Sequence, residues 1–216
     1  MSHGFCGPHP VLPAAPGAPC MTFPDRAPLP DAAKSELRAR ALARRDALAP
    51  ERRIDAASRI AAQVASLALP PGPVAAYWPI RSEADPRPAC ALLRMRGHAI
   101  LLPCIIGDDL LFRLWAEGDT MVKASLGLME PTAAAPAINP ATLLVPLAAF
   151  DRRGHRIGYG RGFYDRALAQ LGRVTTIGIA FATQEIALIP DEPHDHPLDF
   201  VVTEQDIIDT RALRGS

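Results

Sequence analysis

The chain has 216 residues, with 23 basic and 23 acidic side chains and a formal net charge of zero. That balance gives no global field to attract nucleic acid or an anionic membrane, and the length suits one domain with a substantial core. The four cysteines, Cys6, Cys20, Cys90 and Cys104, show no CxxC spacing, and no apolar run reaches the length of a membrane helix. A disulfide framework, a zinc-cysteine site and a spanning segment are therefore not expected. The start lacks a basic stretch followed by an apolar one, so no secretion signal is read there. The expectation is a cytoplasmic monomer with no nucleic-acid or membrane partner.

Residues 1–30 are rich in proline, glycine and alanine and show no periodicity. Such a segment buries too little apolar surface to offset its ordering entropy, so it is expected to be a disordered tail. Met21 within it offers an alternative start. Residues 31–216 are expected to form the folded domain. Asp31 is a candidate N-cap for a first helix running to about Ala49. Pro50 opens a second helix, with Ile54, Ala57, Ile60, Val64 and Leu67 on one face. Val74–Trp78 reads as a strand, Pro86–Gly97 as a helix and Ala99–Leu102 as a strand. Leu110–Trp115 alternates as an edge strand does. Leu143–Val145, Thr175–Phe181 and Phe200–Val202 are further buried strands, and a helix runs from Phe163 to Leu171. Strands alternating with helices predict an α/β class fold: a single three-layer domain with a mostly parallel, mixed sheet covered by helices on both faces. Ligands of such sheets bind beyond the carboxyl ends of the strands.

The segment LLVPLAAFDRRGHRIGYGRGFYDRALAQL, from Leu143 to Leu171, carries the strongest functional signal. A strand ends at Pro146, a turn follows, and Gly158, Gly160 and Gly162 stand at alternate positions before the helix. Glycines let a backbone approach a ligand without a Cβ in the way, and the helix start offers N–H groups and a positive dipole end. Arg156 and Arg161 add cations, and Asp165 places a carboxylate in the first turn. These are the parts needed to hold a metal-bound polyphosphate. The loop is neither a Walker loop nor a spaced GxGxxG, so the residues alone leave two readings open, a phosphate site and a glycine-rich turn.

Elsewhere, FDRRGHR resembles a hairpin turn with Gly154 at positive φ, which makes Arg152 and Arg153 solvated turn residues and Arg156 the better phosphate ligand. PDEPHDHPLDF gathers Asp191, Glu192, His194, Asp195, His196 and Asp199. Its H-x-H lies between prolines without cysteine support, and oxygen ligation of magnesium suits it better than zinc. Lys34 and Arg38 lie one helical turn apart and can face one ligand, or simply form a basic face. Glu83, in a loop after the Val74 strand, can accept hydrogen bonds from a ring N–H or amino group; its alternative is an exposed loop carboxylate.

In order, KSELR (Lys34–Arg38), YWPIRSEAD (Tyr77–Asp85), GLMEP (Gly127–Pro131), VPLAAFDRRGHRIGYGRGFYDR (Val145–Arg166) and HDHPLDFVVTE (His194–Glu204) resemble the 5-formyltetrahydrofolate cyclo-ligase family over residues 32 to about 208. The resemblance implies an enzyme that uses ATP as co-substrate and Mg2+ to close 5-formyltetrahydrofolate into 5,10-methenyltetrahydrofolate, releasing ADP and phosphate. The formyl oxygen attacks the γ-phosphoryl group, N10 of the folate attacks the activated carbon, and phosphate leaves. By motif, Lys34 and Arg38 contact ATP phosphates, and the run Arg156, Ile157, Gly158, Tyr159, Gly160, Arg161, Gly162, Phe163, Tyr164 wraps the nucleotide. Tyr159, Gly160, Arg161, Gly162 and Phe163 also touch the folate, with Trp78 and Glu83 at the pterin. Asp165 and Asp195 hold magnesium; Arg156, Tyr159 and Asp165 are the catalytic group; Gln184 is a weaker nucleotide candidate. Phe163 replaces a usual tyrosine, Leu126 stands where an aromatic often lies against the folate, and Arg161 fills a variable position. Two other functions fit these residues: a same-fold ATP-dependent enzyme acting on another small molecule, and a non-catalytic nucleotide-binding regulator.

Overall fold

A computed structural model describes residues 30–124, 127–190 and 195–213. Residues 1–29 of the expected disordered tail, with Leu126, Asp191, Glu192 and His194, lie outside the described residues.

The first helix, α1, spans Pro30–Asp46, and α2 spans Pro50–Ser66. Two expected boundaries of α1 are corrected. Proline is favourable in a first helical turn, so the helix opens at Pro30 and Asp31 lies inside it rather than at the N-cap. At the other end, Ala49 precedes a proline, which disfavours the helical region; it is extended (φ −59°, ψ 145°), and α1 stops at Asp46.

The remaining elements are β1 (Val74–Ala75), α3 (Arg87–Met95), β2 (Ile100–Ile106), β3 (Asp109–Leu114), β4 (Met121–Lys123), β5 (Met129–Pro131), β6 (Thr142–Pro146), β7 (Ala149–Phe150), β8 (Arg156–Ile157), α4 (Phe163–Leu171), β9 (Thr175–Ile179), β10 (Phe200–Val202) and β11 (Ile207–Asp209). Seven strands form one sheet in the order β11-β10-β9-β6-β1-β2-β3. The five inner strands pair in parallel, while β3 and β11 are antiparallel edges. The expected edge strand is β3. β1 is shorter than expected: after Ala76 donates to Leu101 O (2.9 Å), the chain leaves the ladder and Tyr77–Pro79 turn away.

Alternate residues of the parallel strands face opposite sides. Val74, Ile100, Leu102, Leu144 and Ile177 pack with Ile60 and Val64 of α2 and Leu93 of α3. Ala75, Leu101, Leu143, Val145 and Val201 pack with Ala167 and Leu168 of α4. Helices thus cover both faces, as the alternating pattern predicts, and each fully buried Leu, Ile or Val contributes about 1.5–3 kcal/mol. α1 joins a separate cluster in which Ala41 meets Ala149, Ile157 and Ile189. This contact seats α1 on the β7–β8 hairpin.

The hairpin is organised by Asp151, which is fully buried. Its carboxylate accepts from the backbone N–H of Arg153 (2.9 Å), His155 (3.2 Å) and Ile189 (3.1 Å) and pairs with the Arg153 guanidinium (2.9 Å). Gly154 completes the turn at φ +91°. Arg152 is exposed and pairs with Glu185 and Asp206, a surface role consistent with a solvated turn residue. The hairpin delivers the chain directly into the glycine loop.

Candidate active site

Among the parallel strands, β2 lies on one side of β1 while β6, β9 and β10 lie on the other, so chain order reverses between β1 and β6. Loops leaving adjacent strands at such a point diverge and open a crevice at their carboxyl ends. A cavity of about 270 Å³ lies there, with Tyr77 and Trp78 following β1 and Pro146 closing β6.

One end of the cavity is charged. Lys34 and Arg38 reach it from α1, and Arg156 to Asp165 from the β8–α4 loop. Lys34 Nζ pairs with Asp195 (3.0 Å), and Arg38 Nε donates to Gly158 O (2.7 Å). Arg156 donates to His196 O (2.8 Å) and pairs with Asp165, whose side chain stays 49% exposed while the arginine is nearly buried. Gly160 (φ +84°) and Gly162 (φ +66°) occupy left-handed conformations, and Gly162 is the N-cap of α4. A Cβ at Gly162 would stand 2.9 Å from the Arg166 guanidinium, a mobile group that can shift, so it is the left-handed backbone that favours glycine there. Gly158 does not take positive φ; its carbonyl serves as the Arg38 acceptor.

The other end is an apolar wall with one carboxylate. Tyr77, Trp78, Ile80, Pro103, Ile105 and Met129 line it. Trp78 stacks edge-on against Trp115, with ring centroids 5.9 Å apart. Glu83 faces this wall and accepts from Ile80 N–H (2.9 Å). Burial pushes its carboxyl above the usual range, while the Ile80 N–H, the Tyr159 phenol and the Arg45 guanidinium oppose that rise. The Tyr159 and Tyr164 phenols are both pushed up, chiefly by burial and then by the nearby Glu83 charge, so both stay protonated at neutral pH.

Lys34, Arg38, Trp78, Glu83, the whole run Arg156–Asp165 and Asp195 all line this one cavity. Gln184 does not. It is buried with its amide donating to Leu147 O (2.8 Å) and Ala148 O (3.0 Å) and its oxygen accepting from Phe181 N–H (2.9 Å), so the weaker nucleotide assignment is corrected to a backbone brace. Asp199 likewise turns away, accepting from Thr176 N–H (2.8 Å).

Three contributions were not anticipated from the sequence. The β4–β5 hairpin lays Leu128 and Met129 over the cavity, because buried Glu130 accepts from Ile105 N–H (3.0 Å) and pins it to β2. His155 joins the charged end beside His196, which the sequence offered only within an H-x-H metal candidate. Arg45 sits behind the cavity, 1% exposed, and bonds Tyr159. GLMEP was the available signal for the first; an arginine on an amphipathic helix gives none.

The fold is thus a doubly covered α/β sheet that carries a cation-lined glycine loop at its switch point, facing an apolar wall. The model of the 5-formyltetrahydrofolate cyclo-ligase family matches residues 30–204. The 5-formyltetrahydrofolate cyclo-ligase of Escherichia coli K12 is 31% identical over 173 residues, covering 74% of this chain and 94% of that protein. The protein of the same name from Mycolicibacterium smegmatis is 33% identical over 181 residues, covering 79% and 93%. The solved structure of the Aquifex aeolicus 5,10-methenyltetrahydrofolate synthetase superposes with a TM-score of 0.72 at 29% identity, covering 82% of this chain and 93% of that one. The chain belongs to the 5-formyltetrahydrofolate cyclo-ligase family, a family of ATP-dependent ligases. Among the described residues, no helix is long and apolar enough to cross a membrane.

Proposed function

We propose that this chain closes 5-formyltetrahydrofolate to 5,10-methenyltetrahydrofolate in an ATP- and magnesium-dependent reaction that releases ADP and phosphate. The observation that carries this reading is the two-ended cavity, with cations and carboxylates at one end, an aromatic wall and Glu83 at the other, and the Tyr159–Phe163 loop between them. A cavity of about 270 Å³ is at the small end for ligand sites, so it suits enclosure of the two reacting ends rather than of both whole substrates.

In this reading Lys34, Arg38 and Arg156 bind the phosphates, with the N–H groups at the start of α4 directed at them. Trp78 and the apolar wall hold the pterin, and Glu83 accepts its ring N–H and amino hydrogens. Tyr159 stands at the junction as a neutral donor. The donor set also fits magnesium: Asp165 and Asp195 offer two carboxylates to one cavity, each paired there with a cation, Arg156 and Lys34 respectively. Magnesium characteristically takes one or two carboxylates and completes its shell with waters and phosphate oxygens. When bound, it would neutralise the polyphosphate and polarise the γ-phosphoryl group.

The formyl oxygen attacks the γ-phosphorus and ADP departs. N10 then attacks the activated formyl carbon, and the departing phosphate carries away the former formyl oxygen and takes the N10 proton as the ring closes. The chain's contribution is alignment and charge: the cations meet the charge developing on the transferring oxygens, and the loop holds the formyl group in line. No serine or cysteine lines the cavity among the described residues, and this chemistry requires no protein nucleophile. We take the chain to act as a monomer in the reducing cytoplasm, a compartment that suits the buried free thiols of Cys90 and Cys104.

The test is ATP-dependent appearance of the methenyl chromophore with purified protein, the folate and magnesium. ADP formation with other formylated or carboxylated substrates, but never with this folate, would overturn the reading in favour of another substrate; nucleotide binding without any turnover would favour a regulator.

A further inference from the structure

α1 supplies the site with more than the two cations that line the cavity. One of its faces repeats at Lys34, Arg38, Ala41 and Arg45, and Arg45 is the largest fully buried side chain among the described residues. Its Nη1 donates to Tyr159 Oη at 2.7 Å, and its Nε donates to Ser82 Oγ at 2.9 Å. Its Cζ lies 5.9 Å from the Tyr159 ring centroid, and Asp46 lies 3.8 Å from Nε. Ser82 donates onward to Asp46 and immediately precedes Glu83. An arginine with a purely structural role can satisfy itself on backbone carbonyls, as half-buried Arg113 does on Ala133 O and Ala135 O. Arg45 instead bonds two side chains. One belongs to the glycine loop at the junction of the cavity, the other to the loop that presents Glu83.

We propose that Arg45 is a positioning residue: it ties the Tyr159 phenol and the Glu83 loop to α1, and so fixes the geometry between the two substrates while touching neither. This rests on the ring-closing reading above. Because Lys34 and Arg38 ride on the same helix, the tie also holds the folate end in register with the phosphate end.

The experiment compares Arg45→Met, Arg45→Lys, Tyr159→Phe and the double variant Arg45→Met/Tyr159→Phe by steady-state kinetics and by amide hydrogen exchange. Loss of a charge-assisted bond that orients Tyr159 should lower kcat/KM for the folate about tenfold or more in Arg45→Met. KM for ATP should move by less than about threefold, since Lys34, Arg38 and Arg156 are untouched, and Arg45→Lys should recover part of the loss. Arg45→Met and Tyr159→Phe break the same bond, so the double variant should fall little below the worse single one. Without any substrate, amides of residues 80–83 and 158–163 should exchange faster in Arg45→Met while β6 and β9 keep their protection. Should Arg45→Met fail to fold, Arg45→Lys and Tyr159→Phe carry the same kinetic comparison.

Additive losses in the double variant would overturn the proposal. So would kcat/KM for the folate staying within twofold of wild type, or a matching rise in both KM values with faster exchange throughout the sheet. If wild-type protein forms no methenyl product yet the exchange pattern holds, the ring-closing reading falls while the tie between the loops stands.

Discussion

Glu83→Gln separates what the site needs from what the fold prefers. In the fold, the carboxylate accepts one backbone hydrogen bond, from Ile80 N–H at 2.9 Å, and its carboxyl is raised above the ordinary 4.5 because burial disfavours the charge. A raised folded value means that the folded chain holds this proton more tightly than the unfolded chain does. The stability contributed by Glu83 is therefore fully present below 4.5 and is lost as pH rises through the folded value. Glutamine keeps the Ile80 acceptor and removes the buried charge, so Glu83→Gln should melt above wild type at pH 7.5. The difference should shrink as pH falls toward 4.5, where wild-type Glu83 becomes neutral too. Binding moves the other way. A carboxylate facing a ring N–H and an amino group gains about 1.5–3 kcal/mol per charge-assisted bond, and glutamine turns one acceptor into a donor aimed at a donor. KM for the folate should rise about 10- to 100-fold while KM for ATP holds. Differential scanning calorimetry across pH and steady-state kinetics on both substrates measure the two halves. A variant less stable than wild type at pH 7.5, or one with unchanged folate KM, refutes the reasoning.

Asp165→Ala should lower turnover by more than about 100-fold at saturating magnesium, since metal-assisted charge stabilisation amounts to several kcal/mol. The half-exposed position of its side chain predicts a melting temperature close to wild type, and near-normal turnover would remove Asp165 from the magnesium site. Gly154→Ala places a Cβ 2.7 Å from Leu198 O at φ +91°, and should destabilise the fold by about 1–3 kcal/mol, read as a drop of several degrees in thermal midpoint. Burial pushes the Cys90 thiol up to about 12, so peptide-resolved alkylation at pH 8.5 should leave Cys90 unlabelled until urea unfolds the chain. Labelling of native Cys90 on the timescale of a free thiol would contradict that burial.

The parts of this structure legible in the sequence are those set by local periodicity and by backbone stereochemistry. Val74, Leu143 to Val145, Ile177 and Phe200 to Val202 stand in apolar runs too short for helices, and the helices between them imply a parallel sheet. The glycine loop was legible because its left-handed turns at Gly160 and Gly162 favour glycine, which shows in the sequence as alternating glycines. What escaped depends on contacts distant in sequence. Nothing near Glu130 announces that it will meet Ile105, and without that bond the short β4–β5 strands would not lie over the cavity. Arg45 is harder still, since an arginine on an amphipathic helix is ordinarily solvated. Its burial follows from Ser82 and Tyr159, 37 and 114 residues away. Gln184 errs in the opposite direction: the family resemblance suggests a nucleotide contact, yet three backbone groups engage its amide.

The same contrast bears on how the reaction is carried out. Every residue assigned to the phosphates comes from a helix or from a loop pinned to one: Lys34 and Arg38 from α1, Arg156 beside the first turn of α4. The residues assigned to the pterin come from the loop after β1, from β2 and from the hairpin on it. Joining a formyl oxygen to a γ-phosphorus requires these two groups to hold one mutual geometry, because a displacement on the order of 1 Å at the reacting centre can lower a rate about a hundredfold. The sheet alone fixes only where the loops begin. Side-chain ties between loops must fix where they end, and Arg38 to Gly158, Arg45 to Tyr159 and Arg45 to Ser82 are such ties, all leaving one helix. Under the proposed reaction, a site that works by alignment, with neutral tyrosines and no serine or cysteine among the described residues lining it, depends on ties one layer behind the substrates as well as on the residues that meet them.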